Sequence, residues 1–143
     1  MKISRSAMAT VRAHVAEGYP NEVCGMLVAA AGSDLAVEAH RVRNTMVERA
    51  RDRYLMDPRD QIRVERDCDE RNLAVIGYYH SHPDHPARAS VTDAGASWAG
   101  PGYLIVSCHG GEPREANLFV AERDGGPMHQ VAYELVEDPA PAR

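Results

Sequence analysis

The chain has 143 residues and a formal net charge of −5. This length predicts a single domain, and the acidic balance argues against a nucleic-acid partner, because phosphate binding usually needs a basic stripe. There is no run of about eighteen apolar residues, so the sequence predicts neither a membrane span nor a membrane partner. Its three cysteines lack CxxC spacing and suit reduced thiols, which predicts a cytoplasmic location.

Hydrophobic periodicity predicts helices alternating with short strands in the first part of the chain. In chain order the predicted elements are a helix over 4–18, strands over 23–30 and 35–42, a charged loop over 43–53 and a short strand over 53–56. A helix over 58–72 follows, and Asp57-Pro58 is a good start for it, with Asp as the N-cap and Pro at the first helical position. Its apolar stripe is thin and consists of Ile62, Val64 and Cys68.

The second part of the chain is richer in strands. It predicts a buried strand over 73–79, a helix over 91–98 that Gly100-Pro101-Gly102 ends, and strands over 103–108, 115–121 and 128–136. The prolines after residue 137 indicate a frayed end. The sequence therefore predicts one domain over residues 1–137 and a flexible tail over 138–143.

A pair of histidines follows the apolar run of the buried strand. His80 and His82 are two residues apart, so on a continuing strand both side chains point to the same face. Asp93 follows after ten intervening residues and can supply a third ligand if the loop closes over a metal. Catalytic zinc sites use three protein ligands and leave a fourth position for water. Two imidazoles and a carboxylate favour zinc over calcium or magnesium, which prefer oxygen ligands.

Two further residues near the histidine pair leave alternatives open. His85 could compete as a metal ligand, although its spacing from His82 suits the rim of the site or a contact with substrate better. Ser90 and Asp93 have the S-x-x-D spacing of a capping box, so their segment could be an ordinary helix start. A zinc deaminase of nucleobases would require an HxE and a PCxxC pair, and the sequence contains neither.

Three segments together resemble the JAMM signature of the MPN+ metalloproteases. They are Pro20–Leu27, His80-Ser81-His82-Pro83 and Ser90-Val91-Thr92-Asp93, and with their surroundings they cover most of residues 1–110. The short length and the segment Asn21–Gly25 are most similar to compact prokaryotic members, which include hydrolases acting on ubiquitin-like sulfur-carrier proteins. The resemblance implies an α/β, JAMM/MPN-like (cytidine-deaminase-like) fold, with a curved mixed sheet flanked by helices.

The resemblance also implies roles for five residues. His80, His82 and Asp93 would bind Zn²⁺, which activates water. Glu22 would be the general acid/base that takes a proton from the attacking water and returns it to the leaving amine. Ser90 would donate a hydrogen bond to the carbonyl oxygen as it becomes negative, and the same hydroxyl could also cap a helix.

The implied activity is that of a metallopeptidase or isopeptidase. It would hydrolyse the amide bond after the C-terminal Gly-Gly of a ubiquitin-like or sulfur-carrier protein and release an amine such as cysteine or lysine. The alternatives are a catalytically silent MPN-type scaffold that binds a partner, and a small-molecule zinc amidase. All five motif positions are present, which favours an enzyme. The sequence leaves open a homodimer and an inhibited resting site.

The predicted loops also bear on the substrate. The intervals 43–57 and 97–103 are too short for the large insertions by which eukaryotic relatives grip ubiquitin, which favours a smaller carrier. An extended tail could add along an exposed sheet edge. We expect Arg53–Asp57, as an edge-lying strand, and Asp84–Ala89, as a proline-stiffened loop, to line the channel for this tail.

Overall fold

The computed structural model describes residues 1–140, which form three helices and eight strands. The helices are α1 (Arg5–Gly18), α2 (Pro58–Glu70) and α3 (Val91–Gly95). The strands are β1 (Lys2–Ser4), β2 (Cys24–Ala30), β3 (Leu35–Val42), β4 (Leu73–Pro83), β5 (Gly102–His109), β6 (Glu112–Ala121), β7 (Met128–Val131) and β8 (Glu134–Val136).

All eight strands belong to one mixed sheet in the order β7-β6-β5-β4-β2-β3-β1-β8. β4 and β5 run parallel, as β1 does with β3 and β8, and the other pairs are antiparallel. Helix α1 packs on one face and α2 on the other. The α/β prediction of a mixed sheet flanked by helices is confirmed.

Helix α1 agrees closely with its prediction. It begins after Ser4, whose hydroxyl accepts a hydrogen bond from the Ala7 amide at 3.1 Å, and this satisfies one of the donors that a helix start leaves free. Its buried side chains repeat at the predicted three- and four-residue spacing and face the sheet; they are Ala7, Met8, Val11 and Val15.

Helix α2 begins as predicted, with the Asp57 side chain accepting from the Arg59 amide. Its predicted apolar stripe is only partly right. Val64 and Cys68 are buried, but Ile62 is 49% exposed. The third buried residue of the helix is Asp60, which accepts hydrogen bonds from Arg43. Pairing a carboxylate with arginine allows this burial, and an apolar count could not reveal it.

Two predicted strand assignments were wrong, and one strand was not predicted. Residues 53–56 make one isolated bridge, between Met56 and Asn44, and no strand. The predicted strand over 128–136 is two strands, β7 and β8, which lie at opposite edges of the sheet. Strand β1 was missed because three residues are too few to show a period. Helix α3 is also shorter than predicted and ends at Gly95.

The Tyr79 ring of β4 packs directly over Gly25 of the neighbouring strand β2. A Cβ atom there would come within 2.2 Å of the Tyr79 ring, so only glycine leaves room for this ring. The Tyr79 hydroxyl hydrogen-bonds Nδ1 of His14 on α1 at 2.7 Å. This contact fixes one face of β4 against α1, and the neighbouring residue His80 therefore projects from the opposite face.

Residues 141–143 of the predicted tail lie outside the described residues, and the division at residue 137 stays a prediction. Within residues 1–140, no helix is long and apolar enough to cross a membrane. Cys24, Cys68 and Cys108 are all buried free thiols.

Candidate metal centre and active site

The histidine pair lies on β4, which continues through Pro83 as a strand. Because β4 is a strand here, His80 and His82 project from the same face, as their spacing predicted. His80 stands opposite Cys24 of β2 and Ile105 of β5. Neighbouring strands therefore hold the backbone of His80 on both sides, whereas His82 is paired on one side, with Ser107 of β5.

Three ligand-type atoms from widely separated positions form a small triangle. Nε2 of His80 lies 3.2 Å from Nε2 of His82. Each of these nitrogens lies 3.1 Å from a different carboxylate oxygen of Asp93. The side chains are largely buried, with exposures of 2% for His80, 12% for His82 and 8% for Asp93. The loop between β4 and α3 therefore closes as the motif predicted.

The His82 ring is oriented by the loop that follows it. Its Nδ1 lies 2.8 Å from the carbonyl oxygen of Pro86. A carbonyl can only accept, so Nδ1 carries the hydrogen. Nε2 faces Asp93 and His80, where it donates to the carboxylate when the ring is protonated and offers a lone pair when the ring is neutral. An interaction of this kind fixes both the tautomer and the orientation of a metal-binding histidine.

The His80 ring is held differently. Among residues 1–140, no group hydrogen-bonds its Nδ1. The Tyr54 ring instead stacks on it, with centroids 4.6 Å apart and planes inclined by 28°. Tyr54 comes from the segment between β3 and α2, which the sequence assigned to a short strand lining the channel, with no role at the histidines. Its aromatic character was the only available signal, since nothing in its spacing relates it to the histidines.

Asp93 is oriented by the first turn of α3. Its Oδ2 accepts from the Ser90 amide at 2.9 Å, and its own amide donates to the Ser90 hydroxyl at 3.0 Å. This is a complete capping box. The carboxylate is therefore aimed at the histidines by the same two bonds that start the helix.

The Ser90 hydroxyl can do more than cap. It accepts from the Asp93 amide, which leaves its own hydrogen free to donate. Ser90 is exposed and lines the groove beside the histidines. The two interpretations of this residue are thus compatible in geometry.

Glu22 is buried, with 5% exposure, and stands beside the triangle. Single ligand-type atoms of Glu22, His80 and His82 lie within 4.8 Å of one another. Its amide donates to Ala50 and its carbonyl accepts from the Asn44 side chain. The charged loop after β3 therefore holds the residue at the start of β2.

Ser81 ties the histidine strand to this glutamate. Its hydroxyl accepts from the Val23 amide at 2.9 Å, and its amide donates to the Val23 carbonyl at 3.0 Å. Because it alternates with the histidines on β4, it points away from their nitrogens. Through these bonds it fixes the position of Glu22, one residue before Val23, relative to β4.

The electrostatics of the four groups differ. Burial raises the pKa of Glu22 to about 7 and lowers that of His80, a shift that the bond to Asp93 only partly opposes. Burial also acts to lower the pKa of His82, but its bonds to Asp93 and to the Pro86 carbonyl outweigh this and raise the pKa. Burial would raise the pKa of Asp93, yet hydrogen bonds from both histidines hold it well below its usual range.

The donor set and spacing fit a zinc ion. Zinc takes imidazole nitrogens and carboxylate oxygens at about 2.0–2.1 Å, so two tetrahedral ligands lie about 3.3 Å apart. The three observed separations of 3.1–3.2 Å are close to this value. His80, His82 and Asp93 could therefore hold the ion, and Glu22 lies beside them. We call these four residues the central cluster.

A groove of about 640 Å³ opens beside the central cluster. Residues 53–56 line one side of it, and His85, Pro86, Arg88 and Ala89 line another. The predicted channel segments therefore both reach the groove, although the first is not a strand. Asp57 caps α2 instead, and Asp84 accepts from the Tyr19 hydroxyl. His85 stands exposed on the rim, outside the triangle.

A second group of similar composition lies on the surface. Glu38, His40 and Asp67 also bring ligand-type atoms within 4.8 Å of one another. Here Arg71 donates to both carboxylates, at 2.7 Å to Glu38 and 2.6 Å to Asp67. The arginine already supplies the cation, so this surface cluster is an ion-pair network.

Comparisons with known proteins agree with this geometry. Residues 4–120 match the family described as prokaryotic homologs of the JAB domain. The chain is 32% identical over 115 residues to the desampylase of Haloferax volcanii, a match covering 77% of this chain and 82% of the relative. It is 33% identical over 96 residues to the CysO-cysteine peptidase of Mycobacterium tuberculosis strain H37Rv, covering 66% and 64%. The latter match thus spans slightly less than two thirds of that peptidase.

A solved structure supports the fold. The crystal structure of a JAB1/MPN domain protein from Archaeoglobus fulgidus superposes with a TM-score of 0.63 at 20% identity, covering 95% of this chain and 97% of the other. The predicted JAMM/MPN-like architecture is confirmed. The chain belongs to the prokaryotic JAB-domain family, the compact members of the JAMM/MPN+ group. It is a hydrolase of this class.

Proposed function

We propose that the chain is a zinc metallopeptidase that hydrolyses the amide bond after the C-terminal glycine of a ubiquitin-like or sulfur-carrier protein. The observation that carries this proposal is the triangle formed by His80, His82 and Asp93, with Glu22 beside it at the edge of a groove. We place the reaction in the cytoplasm, where the three free thiols would stay reduced.

In the proposed mechanism, His80, His82 and Asp93 hold the zinc. A zinc ion bound there supplies Lewis acidity, which makes water a nucleophile near neutral pH. Asp93 contributes a negative charge at the site, and its capping bonds to Ser90 keep both carboxylate oxygens directed at the histidines. The chain thus supplies a fixed set of ligands before substrate arrives.

Glu22 acts as the general acid/base. Its carboxylate takes a proton from the attacking water and returns it to the amine that leaves. Burial favours this role because a pKa of about 7 lets the group both accept and release a proton near neutral pH. The Ser90 hydroxyl donates its free hydrogen to the substrate carbonyl oxygen as negative charge develops there.

The groove suits an extended tail. Asn44 and Thr45 hydrogen-bond the backbone of Arg53 and Leu55. Within the described part of the chain, the amides of the alternate residues, Tyr54 and Met56, have no such partner. In an extended segment these alternate amides point the other way, toward the groove, and can pair with a substrate strand. The substrate strand would therefore pair with residues 53–56 inside the groove. It would not add to an edge of the sheet, because the edge strands are β7 and β8.

The names of the matched relatives support a carrier substrate. One is a desampylase, and the other a peptidase whose name specifies a CysO-cysteine bond. A tail of two glycines has no side chains to clash in the groove. The main alternative is a zinc amidase, whose substrate would be a small molecule and not a carrier protein.

The test combines the protein loaded with one equivalent of zinc and sulfur-carrier proteins joined through Gly-Gly to cysteine or lysine, with products identified by mass. We expect cleavage after the last glycine and, with Glu22→Gln, cleavage that is slower by about 10²–10⁴-fold. Replacing the penultimate glycine of the carrier by leucine should slow cleavage steeply while zinc content stays unchanged. Equal rates with both tails would contradict the groove model and favour the amidase.

A further inference from the structure

The walls of the groove carry positive charge. Arg51, Arg53 and Arg88 all line the groove; the first and last are exposed and Arg53 is half-buried. Among residues 1–140, no carboxylate forms a salt bridge with any of the three. By contrast, eight arginines elsewhere form salt bridges, namely Arg5, Arg41, Arg43, Arg49, Arg63, Arg71, Arg114 and Arg123.

The acidic residues of the groove are already engaged. Asp52 pairs with Arg49 at 2.6 Å, and Asp93 pairs with the two histidines. Glu22 is buried inside the central cluster. The exposed charge left at the groove is therefore positive, although the chain as a whole carries a net charge of −5. Of the six arginines within residues 1–140 that form no salt bridge, three line this one opening, which gives it a local positive field.

We propose that Arg51, Arg53 and Arg88 form a docking surface for acidic residues that precede the Gly-Gly tail of the carrier protein. This inference rests on the proposed function and adds the chemistry by which the carrier is selected. Glycines fit the narrow part of the groove but carry no side chain to distinguish one tail from another. Selection must then come from residues further up the tail, which meet the groove walls that carry the arginines.

A protein partner fits this surface better than a nucleic acid. Binding a phosphate backbone needs a basic stripe that tracks many phosphates, and three arginines around one groove are too few. Arginine also suits carboxylates specifically, because its planar guanidinium can donate two parallel hydrogen bonds to one carboxylate.

The expected effect is moderate and depends on salt. Exposed ion pairs contribute little individually, so losing all three should weaken binding about three- to fifty-fold. Charges of this kind mainly accelerate association, and they are screened beyond about 8 Å at physiological ionic strength. The preference for acidic tails should therefore be largest at low salt and small near 1 M salt.

The experiment measures binding separately from hydrolysis. Two fluorescently labelled peptides, Asp-Glu-Asp-Gly-Gly-Lys and Asn-Gln-Asn-Gly-Gly-Lys with amidated ends, are titrated with the Glu22→Gln variant, which should bind without cutting. The same titration is repeated after adding Arg51→Gln, Arg53→Gln and Arg88→Gln together. The matched control carries Arg59→Gln, Arg66→Gln and Arg123→Gln, which change the net charge equally at residues outside the groove lining.

We expect the acidic peptide to bind several-fold more tightly than the neutral one, and the groove triple variant alone to abolish this difference. Equal binding of the two peptides, no binding of either, or the same loss in the control triple variant would overturn the docking surface. Hydrolysis of both peptides by the wild-type chain is measured in parallel. An arginine-dependent preference without any hydrolysis would refute the proposed function and leave the docking surface standing.

Discussion

The central cluster and the surface cluster contain the same residue types and differ in how charge is balanced. In the surface cluster, Arg71 bridges Glu38 and Asp67 in the open, with side chains 34–43% exposed. In the central cluster, no lysine or arginine within residues 1–140 forms a salt bridge with the carboxylates, and the groups are largely buried. In the central cluster, a bound metal ion could balance the charge of the buried carboxylates. In the surface cluster, Arg71 already balances it.

The sharpest way to separate the clusters is to remove one histidine from each. His82→Ala should abolish zinc binding and lower the rate of hydrolysis by at least about three orders of magnitude, because the metal supplies the nucleophile. His40→Ala is the matched control in the surface cluster and should leave both unchanged. Zinc is measured by atomic emission and hydrolysis with a Gly-Gly-linked carrier. Stoichiometric zinc in His82→Ala would mean that the site is elsewhere.

Replacing the carboxylates separates metal binding from proton transfer. Glu22→Gln should keep zinc but reduce turnover by about 10²–10⁴-fold, the usual contribution of a positioned acid/base. Glu38→Gln, the surface counterpart, should change neither. Single-turnover rates and zinc content on the same preparations provide the comparison. Near wild-type turnover in Glu22→Gln would assign the base to another group, with His85 the nearest candidate on the rim.

The two roles of Ser90 can be separated by comparing it with Ser4, which caps α1 far from the groove. Either Ser→Ala change should lower the free energy of unfolding by about 1 kcal/mol through loss of the cap. Only Ser90→Ala should also lower turnover, by about 10²-fold, through loss of the donor to the carbonyl oxygen. Ser90→Thr keeps the hydroxyl and should restore both. Unchanged turnover in Ser90→Ala would leave the residue as a cap alone.

Substitutions of Tyr54 test whether its stacked ring, rather than a hydrogen bond, holds the His80 ring in place. Tyr54→Leu should weaken zinc binding by about tenfold, in the range seen when groups that orient metal ligands are lost. Tyr54→Phe keeps the stacked ring and should bind zinc as tightly as wild type in competition with a chromophoric chelator. If Phe weakens zinc as much as Leu, the hydroxyl matters and the stack does not.

The smallest effect is expected for the surface cluster itself. The hydrogen bonds from Arg71, with those of His40, outweigh burial and lower the pKa of Glu38 from 4.5 to about 2. Because this pKa is lowered on folding, the resulting stability is complete above about pH 5 and is lost as the pH falls toward 2. Arg71→Gln should thus reduce the free energy of unfolding at pH 7 by less than about 1 kcal/mol, since the pair is partly exposed.

The pH dependence provides the check on this last prediction. Denaturant unfolding of wild type and Arg71→Gln should differ most near neutral pH and converge near pH 2. A difference that grows on acidification would have the wrong sign for a lowered carboxyl pKa. The variant should also bind no additional zinc, since exposed groups without the arginine are simply hydrated.

The parts of the site that sequence predicts are those encoded by local spacing. His80 and His82 share a strand face because side chains on a strand repeat every two residues. Ser90 and Asp93 share a helix start because a capping box joins residues three positions apart. The helices α1 and α2 follow from apolar spacing and from their caps in the same way. These features need no knowledge of how distant segments pack.

Other features that the sequence did not predict depend on tertiary contacts. Tyr54 meets His80 only because the segment before α2 folds over the end of β4, and Asp60 is buried only because Arg43 reaches it. The separation of β7 from β8 is decided by which sheet edge each one pairs with. No period in the sequence records these long-range pairings.

Zinc X-ray absorption of the purified protein tests the central claim most directly. We expect one zinc per chain, with two imidazole nitrogens and carboxylate or water oxygens at about 2.0–2.1 Å and no sulfur. The spectrum should persist in His40→Ala and disappear in His82→Ala. A sulfur shell at about 2.3 Å, or the same spectrum after His82→Ala, would contradict a metal centre built from His80, His82 and Asp93.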